Sequence, residues 1–174
     1  MDALRHDLSS VFLRGFIGLS LAVLLFSSQS VAGLEAKENS ATTHPIPQIT
    51  GIVDGFCSRL GMPHNVQVSV VESNHRMVSV EHFSGTGETF LLSFDAQFLN
   101  GLTDDEVAAA VAHELGHVWI FSHHPYLQTE ALANEIAMRV VSRESLKTIY
   151  AKLWAHLGSP SDLSEFFGSE NNTN

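Results

Sequence analysis

One cysteine, two tyrosines and nine basic residues are all that 174 positions hold of those types. A lone Cys57 excludes any internal disulfide, so stability has to come from a buried apolar core. Its surroundings fit that reading. In "QITGIVDGFCSRLGMP" the residues Ile49, Ile52, Val53, Phe56, Cys57 and Leu60 follow helical spacing, and Gly61 with Pro63 ends the helix. The scarcity of Lys and Arg is equally informative. Nine of them stand against 19 Asp plus Glu, a formal net charge of -10. Beyond Ala32 the counts are seven against seventeen. No basic patch occurs, which excludes nucleic acid as a partner, since binding it requires a cationic surface that displaces counterions. With 44% apolar and 16% charged residues, a disordered chain is excluded too, and one globular domain is expected.

Long hydrophobic runs are also missing. The uncharged run from Gly15 to Phe26 is shorter than the roughly 20 residues that span a bilayer. It follows a short leader containing Arg5 and Arg14 and precedes "SSQSVAG", where Ser30 and Ala32 are the small residues of a cleavage site. Residues 1–32 therefore read as a signal peptide, and the chain as exported, to a periplasm or the medium. The alternative is an uncleaved, tilted anchor reaching back to Val11; otherwise the mature chain has no membrane span.

Residues 33–48, polar and ending in a proline pair, read as a flexible lead-in. A domain is expected over 49–167 and a polar tail over 168–174. After the first helix, "NVQVSVVES" and "RMVSVEHF" alternate apolar and polar residues, and "ETFLLSF" follows a Ser-Gly-Thr-Gly turn. These give an α+β domain with a small, three-stranded, largely antiparallel sheet packed on helices. In "TDDE", Thr103 caps a helix and Glu106 reaches back to it. That helix runs through "DDEVAAAVAHELGHVWIFSHH" to the His124-Pro125 stop. A second helix is expected from about Tyr126 to Val141, and a third over "RESLKTIYAKLWAHLG".

From Val107 to Phe121 every residue is small or apolar except His113, Glu114 and His117. Two histidines four apart share a helix face, so their ring nitrogens can converge on one point. Burying imidazoles and a carboxylate without partners costs several kcal/mol, and a divalent cation turns the same groups into satisfied ligands. His-Glu-x-x-His on a helix is the zinc peptidase pattern, with the histidines as ligands and Glu114 as general base. The competing reading is a structural one, with core histidines bonded to backbone carbonyls. The second helix carries Glu130 and Glu135 as further candidate ligands.

"LTDDEVAAAVAHELGHV" followed by a glutamate-bearing helix resembles the gluzincin metallopeptidases of the HtpX and CAAX-prenyl-protease type, over roughly Ile49 to Ser142. That resemblance implies a zincin-like domain, one Zn2+ ion, a peptide or protein substrate, and a third ligand at Glu130. Where those families place an aspartate four residues after the glutamate, this chain has Asn134. The Glu-x-x-Ala-Asn form resembles the IrrE and ImmA peptidases.

Helical geometry bears on the same choice. His123 lies ten residues after His113, a metzincin spacing, but Ile120 stands where those proteins turn at glycine, so six further residues of helix rotate His123 some 240° from the face of His117. Reversal of the chain around Pro125 instead sets Glu130 level with His117, and one more turn sets Asn134 near His113, whose imidazole it can orient. Glu135 falls about 140° around the helix from Glu130. Tyr126, His123, Tyr150 and Arg143 are unranked candidates for the oxyanion donor. The chain thus reads as a zinc-dependent endopeptidase, the alternative being a non-catalytic metal-binding or interaction protein of the same fold. Export is expected to leave a mature protein starting after Ala32, which N-terminal sequencing of the periplasmic or secreted protein reads directly; a chain starting at Met1 in the membrane fraction contradicts it.

Overall fold

In the computed structural model, residues 44–84, 88–158 and 164–167 are described. The expected signal peptide, most of the lead-in, the Gly85–Gly87 turn and the tail lie outside them. The order of elements is α1 (Ile46–Leu60), β1 (Val66–Val71), β2 (Val78–Ser84), β3 (Glu88–Asp95), α2 (Ala96–Asn100), α3 (Asp104–His123), α4 (Glu130–Ala137), α5 (Arg143–Leu157) and α6 (Ser164–Phe167). The chain is an α+β domain.

Helix α3 is the element around which the others assemble. Twelve of its twenty residues are buried, so it is an interior helix with no solvent face along its middle. Both halves of the capping box are made: the Thr103 hydroxyl accepts from Glu106 N–H, and Glu106 Oε2 accepts from Thr103 N–H at 2.7 Å. Lys152 of α5 reaches the same carboxylate at 2.6 Å. Three acidic residues occupy the first turn, where the helix dipole favours negative charge. The helix stops at His124, ahead of Pro125.

Helix α1 begins at Ile46, upstream of the expected domain start at Ile49. Composition misled here because two prolines read as a loop, whereas proline is well tolerated in the first helical turn, where its missing N–H has no partner to lose. Pro45 is the N-cap and Pro47 sits inside that turn. His44 is buried ahead of them, its Nε2 bonded to Leu102 O at 2.8 Å. Ile49, Val53, Cys57 and Leu60 form the buried stripe, and Gly61 ends the helix at φ 68°, a left-handed conformation that glycine adopts without a Cβ clash. Burial raises the Cys57 thiol to about 11, with the Asp54 charge adding to it, which keeps it an inert core group.

The sheet has the order β1-β3-β2. The β2–β3 pair is antiparallel, as expected, with Val80 opposite Leu92. The β1–β3 pair is parallel, with Val68 opposite Leu92, so the sheet is mixed. Alternating polarity specifies which side chains are buried and carries no information on strand direction. The β1–β2 connection carries the chain past β3, braced by Asn74, whose Nδ2 donates to Ser79 Oγ and Ser93 O while its N–H donates to Asp95 Oδ2. Beyond it Met77 adopts φ 62°, a left-handed conformation unusual for a residue with a side chain. β3 is therefore the central strand, and β2 lies at an edge beside α3.

Helix α4 is shorter than the expected Tyr126–Val141 helix. Thr129 caps it by accepting from Leu132 N–H, and residues before that form a turn in which Leu127 N–H donates to His124 O. Its contact with α3 is unusually close. A Cβ built on Gly116 would lie 2.3 Å from the Ala133 carbonyl oxygen and 2.9 Å from its carbon. The glycine of "HELGH" is thus a packing requirement: two small residues let the helix carrying Glu130 approach the helix carrying the histidines. Gly116→Ala gains up to about 1 kcal/mol of helix propensity, but the overlap is with rigid backbone, and overpacking of this kind costs about 1–3 kcal/mol. A lowered melting temperature together with weakened metal binding is the expected outcome; a variant that melts higher and binds metal unchanged contradicts this packing account.

Candidate metal centre

The pattern that put His113 and His117 on one face of α3 brings their rings to 4.8 Å between centroids, nearly perpendicular. Their Nε2 atoms are 3.2 Å apart. Glu130, the first residue of α4, meets both: Oε2 is 3.2 Å from His113 Nε2, and Oε1 is 3.5 Å from His117 Nε2. One donor atom from each of the three lies within 4.8 Å of the others. Two imidazoles and a carboxylate form a donor set suited to zinc and similar divalent ions.

The outer nitrogens of both rings are already engaged. Asn134 Oδ1 accepts from His113 Nδ1 at 2.9 Å, and Gln128 Oε1 accepts from His117 Nδ1 at 3.2 Å. Gln128 also donates through Nε2 to His117 O at 3.2 Å. Hydrogens on the Nδ1 atoms leave Nε2 of a neutral ring with its lone pair directed at the shared point, so the arrangement fits a cation. Tyr150, 3% exposed, closes the cluster from α5. Its hydroxyl donates to Glu130 Oε2 at 3.2 Å and accepts from Asn134 Nδ2 at 3.3 Å.

Charge accumulates here. Burial opposes the ionised form of Glu130, but hydrogen bonds and charges from His113 and His117 outweigh it and hold the carboxyl below the usual range. Burial likewise opposes protonation of His117, and Glu130 outweighs it through hydrogen bonding and charge, lifting His117 to about 9. Glu114 stands apart from the set. It is 3% exposed, and its carboxyl is raised chiefly by burial, against the attraction of His113 and His117 and a hydrogen bond from Val80 N–H. Burial raises Tyr150 well above the ordinary tyrosine range, with the Glu130 charge in support.

The other candidates are placed elsewhere. His123 is exposed and stacks on Trp119 at 4.1 Å, its Nδ1 bonded to Trp119 O. Glu135 is exposed. Tyr126 is 98% exposed, and Arg143 donates to Phe167 O at 2.9 Å. Tyr150 alone of the four oxyanion candidates touches the cluster, and its single proton is directed at Glu130. Gln128 and Val80 N–H escaped the sequence reading. Gln128 lies in the irregular turn before α4, where no periodicity applies, and a main-chain N–H has no sequence signature.

Glu130→Ala is expected to abolish tight metal binding and Asn134→Ala to weaken it about 10–100-fold, the usual cost of losing a group that orients a ligand. His123→Ala should leave stoichiometry and affinity unchanged. A pH dependence follows as well. A group raised to about 9 is protonated at neutral pH, and an incoming cation must displace that proton, so affinity rises with pH until about 9 and falls on acidification. Calorimetric titration with zinc at pH 7 in buffers of different ionisation enthalpy measures the release; uptake with no proton released contradicts this assignment.

No family model matches the sequence, and no curated protein does. Among solved structures, the chain is similar to the crystal structure of the metallopeptidase zymogen of Pyrococcus abyssi abylysin, at 18% identity and a TM-score of 0.46, over 66% of this chain and 99% of that one.

Proposed function

We propose that this chain is an exported, zinc-dependent endopeptidase with a zincin-like domain of the gluzincin type, in which His113, His117 and Glu130 hold the ion and Glu114 is the general base. The observation that carries the reading is the convergence of His113, His117 and Glu130 on one point, with a second carboxylate, Glu114, buried on the same helix as the histidines and outside the donor set. Glu130 is held ionised between the two imidazoles, whereas Glu114, one residue from His113, is pushed towards its neutral form. Two buried acids tuned in opposite directions beside one donor set suit separate tasks, one as ligand and one as proton carrier. When bound, zinc supplies Lewis-acid chemistry, acidifying a water and polarising a carbonyl. Glu114 takes the proton from the attacking water and passes it to the leaving amine, which requires a carboxyl that both accepts and releases a proton. Val80 N–H fixes its orientation.

The surroundings suit a peptide. β2 lies at the sheet edge, and its Val80 N–H faces Glu114, so the outer edge of β2 is the place for an extended substrate backbone. The strand directly before α3 by sequence, β3, is paired on both sides and cannot take that role. Beside His113 and Glu114 an open pocket is lined by Arg76, Val78, Phe98, Ala110, Ile149, Tyr150 and Leu153, a largely apolar surface of the kind that receives a substrate side chain.

One observation favours a second reading, a metal-binding protein without turnover: Tyr150 commits its proton to Glu130, and Tyr126, His123 and Arg143 are turned elsewhere. Glu114→Gln separates the two. The endopeptidase reading expects full zinc content with hydrolysis of unfolded protein substrates lowered at least about 100-fold, and chelator-sensitive activity in the unsubstituted protein. Chelator-insensitive activity, or turnover unchanged by Glu114→Gln, contradicts it.

A further inference from the structure

His113 is oriented by an amide where a carboxylate would serve as well, and an amide can be inserted either way round. With Oδ1 towards His113, at 2.9 Å, the ring keeps a hydrogen on Nδ1, so that Nε2 directs its lone pair at the shared point once a cation displaces the proton between Nε2 and Glu130. Turned over, Nδ2 would oppose Nδ1–H, leaving Tyr150 Oη, 3.3 Å from Nδ1, as the remaining acceptor there, and a neutral ring that accepts from Nδ2 has its hydrogen on Nε2, which removes the lone pair from the metal-binding point. Asn134 is completely buried, so bulk water cannot compensate either orientation.

The far end of the amide decides the matter. Asn134 Nδ2 donates to Tyr150 Oη at 3.3 Å and to Phe166 O at 3.2 Å. Tyr150 favours this orientation only while its proton stays on Glu130, because a hydroxyl that turns its proton towards Asn134 accommodates the reversed amide as well. A main-chain carbonyl only accepts, and Phe166 O therefore discriminates. The short helix α6 that supplies it is seated by side chains: Phe166 packs on Tyr150 at 5.3 Å and Trp154 at 5.5 Å, Phe167 packs on Tyr150 at 5.6 Å, and Arg143 Nη1 donates to Phe167 O at 2.9 Å.

We propose that the segment around Phe166 and Phe167 is a positioning element for the metal centre: its Phe166 carbonyl locks the Asn134 amide and, through it, the tautomer of His113. The proposal rests on the reading of His113 as a ligand. An aspartate at 134 would need no such lock, because both its oxygens accept, and this gives the test its internal control.

Four full-length proteins are compared: the unsubstituted chain, an Arg143→Ala/Phe167→Ala variant that releases α6, Asn134→Asp, and the combination. Two readouts are taken, the zinc dissociation constant by chelator competition and, without metal at a pH alkaline enough to leave the ring neutral, the His113 tautomer from ring ¹⁵N shifts. Releasing α6 is expected to weaken zinc binding about 10-fold or more, in the range for a lost orienting group, and to lower the Nδ1–H population. Adding Asn134→Asp should recover most of the affinity in the released background and bring no gain in the docked one. Arg143→Gln alone, which keeps both rings, should move both readouts the same way by less, and decides the matter if the double variant fails to fold. Unchanged affinity and tautomer on release, or a loss that Asn134→Asp does not recover, overturns the proposal. Failure of the unsubstituted chain to bind zinc overturns the metal reading and the proposal with it, whereas equal, tight binding by all four overturns the proposal alone.

Discussion

A carboxylate buried between two imidazoles is the interaction on which this structure depends. Taking Glu130 out of water costs several kcal/mol on its own, and the fold offsets that with groups drawn from three helices: His113 and His117 from α3, Tyr150 from α5, and the α3–α4 approach that brings them within reach. That approach is possible only because Gly116 meets Ala133 with no side chain between. The capping box at Thr103 and the mixed sheet then serve to hold α3 in place as the interior helix. A divalent ion at the shared point would complete the compensation, replacing a proton-mediated contact among the three groups with ligation.

Around the donor set, each imidazole is held by a side-chain carbonyl, and each of those amides is held in turn by main chain. Gln128 bonds His117 twice, at the ring and at the backbone carbonyl. Asn134 spans from His113 to Tyr150 and Phe166. Such layering suits a site whose ligands must not rearrange on binding, because preorganised ligands lose little freedom when the ion arrives.

Much of the centre was legible in the sequence, and the reasons are specific. Spacing of four puts His113 and His117 on one face, helical rise sets Glu130 level with His117 after a reversal at Pro125, and the next turn delivers Asn134 to His113. These follow from the fixed geometry of a helix. The strand order was not legible, since alternation in Val66–Val71 and Val78–Ser84 records burial and not direction. The start of helix α1 at Ile46 is not legible in composition, because the prolines at 45 and 47 mark a helix start as readily as a loop. Gln128, Val80 N–H and Phe166 O were invisible for a common reason: each acts from an irregular segment or through main-chain atoms, and residue type says little about either.

The central claim is that His113, His117 and Glu130 bind one zinc ion. X-ray absorption at the zinc edge, on protein carrying one equivalent of zinc, tests it most directly. The account predicts a first shell of nitrogen and oxygen at about 2.0–2.2 Å with the outer-shell scattering of two imidazoles. A sulfur scatterer at about 2.3 Å, a shell with no imidazole, or a protein that takes up no zinc would contradict it.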